Sequence, residues 1–348
     1  MRSGLLAPLL LLIAAPAAAQ QAYIANGGDG TVSVLTTDAN AAVITLGGHP
    51  EGVAVAPDGS RVQIANSADR SIAVIDAAAS RVIGTIPLDF TPSGLALSPE
   101  GDRLYIAGRD AGIVAALDLR RSLVVAKVAV GADPEDIVAT PDGTRLYVVN
   151  RGSATLSAID TGSFAVTATI SLDAEPGGLA VTRDGSTLYV ADPAGGQVLR
   201  IDPVANRVAA KIPAGTRPTG LALDLAGTQL YCSDSAADAV QILTLPEGHL
   251  TATIAVGEAP GALAITPGGN FLYAVNQGDG TASVIATAEN KVVATLKSGA
   301  QPSRLGGFAG SRPHNSTHSS AEWLALLVFA GGMAYFAAER IGRKRPKG

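Results

Sequence analysis

The chain of 348 residues has one cysteine, one tryptophan, two methionines and four histidines, and aromatic residues make up only 4% of it. A single cysteine, Cys232, excludes an internal disulfide and a cysteine-rich zinc site. The histidines, His49, His249, His314 and His318, are not spaced for a joint metal site, so no metal and no cofactor is expected. No G-x-S-x-G elbow occurs, and Cys232 falls inside an apolar strand pattern, so no catalytic residue is expected either. Charged residues are scarce, at 16%, and the formal net charge is −5. Residues 311–348 hold six basic and two acidic side chains, and Arg2 belongs to the leader, so the body between them carries about −10. That sign repels phosphate backbones, and few aromatic rings remain for base stacking, so nucleic acid is not an expected partner. Hydrophobic residues, by contrast, reach 47%, with 40 glycines and 20 prolines. Such a chain buries ample apolar surface and turns often, which excludes disorder.

Both ends read as targeting segments. Met1-Arg2-Ser3 precedes an apolar run to Ala15 and the small-residue end Pro16-Ala17-Ala18-Ala19, a secretory leader cleaved after Ala19. Near the other end, Trp323–Ala338 is free of charge and is followed by Arg340, Arg343, Lys344, Arg345 and Lys347. The positive-inside rule places that tail in the cytoplasm and everything before Trp323 outside. The expected order is a signal peptide (1–19), a folded body (20–310), a polar linker (311–322), a transmembrane helix (323–339) and a basic cytoplasmic tail (340–348). The same pattern describes a C-terminal sorting signal that is removed, and the sequence leaves that choice open.

The body repeats. Pro50, Pro92, Pro134, Pro176, Pro218, Pro260 and Pro302 are spaced by 42 residues every time. A tyrosine follows thirteen residues after five of them, at Tyr105, Tyr147, Tyr189, Tyr231 and Tyr273, while Gln63 takes that place in the first unit. Turns such as Asp58-Gly59, Asp142-Gly143 and Asp184-Gly185 lie between. Each unit holds four short apolar runs; for the unit of Pro134 they are Asp136–Ala139, Arg145–Val149, Thr155–Ile159 and Leu123–Val130. Asp76, Asp118, Asp160 and Asp202 end the third run and read as turn caps. The run carrying Arg81, Lys127, Arg207, Lys211 and Lys291, with Pro87 and Pro213, has the charge and proline of an edge strand. The proline strand is therefore innermost in a four-stranded antiparallel sheet, and such sheets repeated radially make a propeller. Six units are complete. The chain starts with three strands lacking an inner one and ends with an inner strand at Pro302–Phe308, so a split seventh blade closes the ring. The fold class is an all-β seven-bladed propeller plus one C-terminal transmembrane helix.

Pro50-Glu51-Gly52-Val53-Ala54-Val55-Ala56-Pro57-Asp58-Gly59, Tyr147-Val148-Val149-Asn150 and Ala73-Val74-Ile75-Asp76 together resemble the YVTN-type seven-bladed β-propeller repeat family. The resemblance covers residues 21–310 and implies the fold and an exported protein rather than a particular activity. Tyr231-Cys232-Ser233-Asp234 and Leu243-Thr244-Leu245 depart from the pattern, which makes the sixth blade the most degraded.

Propellers place functional groups at the channel mouth. Residues flanking the repeat prolines give a candidate ligand site of Glu51, Asp133, Glu135, Asp136 and Glu175, faced by Arg217 and Arg304 in matching places on later blades. Crowded carboxylates are expected to raise one another's pKa unless a cation is present, and to suit a cationic or zwitterionic ligand. The expected function is a monomeric, membrane-anchored extracytoplasmic binding or scaffolding module for an unidentified protein or small molecule. A propeller enzyme such as a lactonase or lyase is the alternative.

Overall fold

The computed structural model describes residues 21–309, so the leader, the linker, the apolar segment 323–339 and the basic tail lie outside the described residues. Every regular element within them is a β-strand. The strands form seven four-stranded antiparallel sheets, the blades. Blade 1 combines the strand Pro302–Ala309 with Gln21–Asn26, Thr31–Leu35 and Asn40–Thr45. Blades 2 to 7 follow in chain order. Their inner strands are Pro50–Val55, Pro92–Leu97, Pro134–Ala139, Leu179–Val181, Pro218–Leu223 and Pro260–Ile265. Each inner strand touches the inner strand of the blade on either side, and the series returns from blade 7 to blade 1. Tyr23 pairs with Gly306 and Ile24 with Leu305, so the split blade closes the ring as the strand count requires.

Burial explains the order within a blade. The second strand of blade 4, Arg145–Asn150, is buried at every position after its first, because neighbouring blades cover both faces. The outer strand Leu123–Ala129 alternates exposed with half-buried residues along its whole length, as an edge strand with one wet face does. Seven apolar clusters hold the ring together, one at each seam. Tyr147, Leu156, Leu188 and Ile201 join blades 4 and 5, and Ile24 and Leu35 pack on Tyr273 and Val275 between blades 1 and 7. The repeat tyrosines belong to these seams, and burial pushes the phenols of Tyr23 and Tyr273 up to about 12.

The turns behave as their chemistry requires. Gly59, Gly143 and Gly185 take φ of 71°, 71° and 70°, which an L side chain adopts only with strain. The carboxylates of Asp76, Asp118, Asp160 and Asp202 accept backbone N–H groups two to three residues on, so they are turn caps. Two expectations need correction. The run Leu123–Ala129 is the outer strand of the blade built on Pro92, not of the unit of Pro134, whose outer strand is Ala165–Ser171. The sixth blade keeps four full strands; the irregular one is blade 5, whose inner strand shrinks to three residues.

Candidate binding site at the channel mouth

The repeat proline and the two residues after it build the mouth, within the inner strand in every blade but the fifth. The residue after the repeat proline carries a hydroxyl in three blades. Ser93, Thr219 and Ser303 donate to the proline carbonyls of the next blade, Pro134, Pro260 and Pro50, at 2.7, 3.0 and 3.3 Å. The position after that is glycine in four blades because the inner strands approach too closely for a side chain. A Cβ on Gly52 would overlap the Ser93 carbonyl oxygen, and one on Gly220 that of Gly261. Asp136 occupies this glycine position in blade 4. Its Oδ2 accepts the Leu179 N–H of blade 5 at 3.1 Å and its Oδ1 that of Ile137 at 3.1 Å. The carboxylate thus takes up the Leu179 N–H, and the blade 5 strand beside it is the short one. Asp136 lines the cavity but is also a seam residue.

The acids of the rim are bridged by two arginines that reading around the prolines did not find. Arg109 sends Nη1 and Nη2 to the two carboxylate oxygens of Glu51 at 2.9 and 2.5 Å, and its Nε lies 3.5 Å from Asp133 Oδ1. Arg151 reaches Glu135 with Nη1 at 3.4 Å and Glu175 with Nε at 3.2 Å. Each is the first residue past the second strand of its blade, and they are 42 residues apart. The signal was in the repeat alignment, on a loop distant in sequence from the prolines. For Glu51 the pairing with a cation reverses the expected upward shift. Burial pulls the Glu51 carboxyl upward. The Arg109 hydrogen bonds, the Ser67 hydroxyl and the charges of Arg109 and His49 outweigh it and hold the group below its ordinary range.

A cavity of about 830 Å³ opens at this end of the channel. Among the described residues its charged lining is Glu135, Asp136, Glu175, Arg151 and Arg217. Glu51 and Asp133 are not part of that lining and join the group through Arg109. Arg217 precedes its proline, as Asp133 and Glu175 do, whereas Arg304 stands two residues after its own, in the register of Asp136. The two arginines are therefore not in matching places. Among the described residues no three His, Cys, Asp or Glu side chains gather as a metal site. Cys232 is buried, and burial, with Asp234 nearby, pushes its thiol far up, away from the reactive thiolate.

No family model and no curated protein matches the sequence. Solved structures do match. Hydrazine synthase of Kuenenia stuttgartiensis superposes with a TM-score of 0.66 at 21% identity, over 73% of this chain and 88% of that one. A functionally unknown protein from Desulfotomaculum acetoxidans DSM 771 gives 0.73 at 14% identity, over 84% of this chain and 99% of the other. At such identities the likeness concerns architecture alone, and it agrees with the seven blades: this chain is a β-propeller.

Proposed function

We propose that the chain is an exported propeller of the YVTN repeat type, anchored by segment 323–339 with the propeller outside, which binds small charged molecules at the channel mouth without transforming them. The observation that carries the reading is the fixed polar frame at the mouth. Arg151 clamps Glu135 and Glu175 in the lining of an 830 Å³ cavity, and beside it Arg109 clamps Glu51 and holds it in its charged form. A pre-positioned frame of this kind orients a ligand at little entropic cost. The leader-like start and the apolar segment with its basic tail support export and anchoring.

The full-length protein, solubilised in detergent, is titrated calorimetrically with a panel of small cations, anions and zwitterions, and bound molecules are recovered and weighed by mass spectrometry. Binding with unchanged mass is expected. A ligand recovered chemically altered overturns the non-catalytic reading, and a panel without any binder overturns the binding one. A reporter active only in the cytoplasm should work when fused after Gly348 and fail at residue 315; the reverse pattern overturns the topology.

A further inference from the structure

The repeat itself marks where the ligand sits. At two successive seams the protein builds the same kind of constellation. An arginine just past the second strand bridges the acid before the next proline to an acid one place after a repeat proline. Arg109 joins Asp133 to Glu51 of the preceding blade, and Arg151 joins Glu175 to Glu135 of its own. The positions of Glu135, Arg151 and Glu175 one blade on are Gly177, Pro193 and Arg217. The first acid and the bridging arginine are missing, and the place of the second acid holds a guanidinium. Gly177 cannot carry the missing acid, because a Cβ there would lie 2.8 Å from the Thr219 carbonyl oxygen. Gly177, Pro193 and Arg217 all line the cavity, so this seam faces open space without the acid and the bridging arginine of the preceding one. Arg217 is exposed, and among the described residues its guanidinium has neither an ion pair nor a hydrogen bond.

We infer that the seam between blades 5 and 6 is a carboxylate site, in which Arg217 binds the carboxylate of a small zwitterion of the amino-acid type. This rests on the binding function proposed above and names its ligand class. At the preceding seams the partner of each guanidinium is a carboxylate of the chain, and here no described residue supplies one. A planar carboxylate matches the guanidinium fork and gains charge-assisted hydrogen bonds from it. The rest of the charged lining, Glu135, Asp136 and Glu175 against Arg151, is net negative. It therefore favours a ligand that also carries an ammonium group and opposes a multiply charged anion.

The test uses the full-length protein in detergent with four probes: alanine, acetate, alanine amide and inorganic phosphate. Alanine should bind best and acetate more weakly, and alanine amide and phosphate should not bind. Arg217→Ala should weaken alanine binding by at least about tenfold, the scale of one charged hydrogen-bonded contact. Pro193→Glu, which offers Arg217 an internal carboxylate, should weaken it as well, with the melting temperature unchanged in both variants. Arg120→Ala, on an exposed turn of blade 3, is the control and should bind as wild type. Full affinity in Arg217→Ala, stronger binding of alanine amide or phosphate than of alanine, or no heat with alanine up to its solubility each overturns the assignment. If other charged molecules still bind at the mouth in those cases, the general binding function stands and only the ligand class falls.

Discussion

Arg109 and Glu51 face each other across the seam of blades 3 and 2 in a two-pronged pair, with nitrogen–oxygen distances of 2.9 and 2.5 Å. Glu51 keeps only 12% of its side-chain exposure, so the pair fixes the charge state of a carboxylate that burial alone would push toward neutrality.

Removing the arginine therefore has a pH signature. The folded Glu51 carboxyl lies below its ordinary value of 4.5. The pair's stabilisation is complete above that value and is lost as the pH falls through the lower folded one. Arg109→Ala should cost about 1–2 kcal/mol at neutral pH, less than a fully buried pair because the guanidinium is partly wet. The gap between the two proteins should narrow below about pH 4, where Glu51 takes up a proton. Thermal melts at neutral and acidic pH check this; a gap independent of pH counts against the charge argument.

The inner-strand glycines should be intolerant and an outer one tolerant. Gly52→Ala drives a Cβ into a backbone oxygen and should cost about 3 kcal/mol. Gly84, in the outer strand Arg81–Pro87, meets nothing within 4 Å, and Gly84→Ala should add about 0.5–1 kcal/mol by limiting the unfolded chain. Denaturant midpoints of the two variants should move in opposite directions.

Gln63 is the weak member of the tyrosine series. It is 2% exposed, and its Oε1 has no hydrogen-bond partner among the described residues. Gln63→Tyr restores the side chain found at this position in every other blade and should raise stability by about 1 kcal/mol. A lower melting temperature would mean that the blade 2 seam is shaped around glutamine.

The closing strand should matter to the whole ring. Ending the chain after Gly299 removes the inner strand of blade 1, its pairing with Gln21–Asn26, and the Ser303 hydroxyl bond to Pro50 of blade 2. The melting temperature should fall by about 10 °C or more, since several kcal/mol are lost from a domain of this size. Melting like the full chain would contradict closure by this strand.

The architecture was legible because proline and tyrosine recur in one register and because the strands missing at one end are supplied at the other. The ownership of Leu123–Ala129 was not, since that strand lies between two repeat prolines and spacing alone fits either. Asp136 was legible as an acid beside a repeat proline but not as an acceptor for the Leu179 N–H, which depends on how near two inner strands come. Arg109 and Arg151 escaped because they sit on loops seventeen residues after the prolines and reach the rim only through the hairpin fold. The place of Arg217 beside its proline was legible, yet its isolation follows from what Gly177 and Pro193 fail to provide.

The split blade sets a timetable for the molecule. Six blades are each drawn from one continuous stretch of chain and can zip up as they emerge, residue neighbour to residue neighbour. Among the described strands the first three, from Gln21 to Thr45, must wait for Pro302–Ala309 before their sheet is whole. Until synthesis reaches that strand the ring is an open arc with two bare ends, and those ends are the surfaces a folding helper would have most reason to hold.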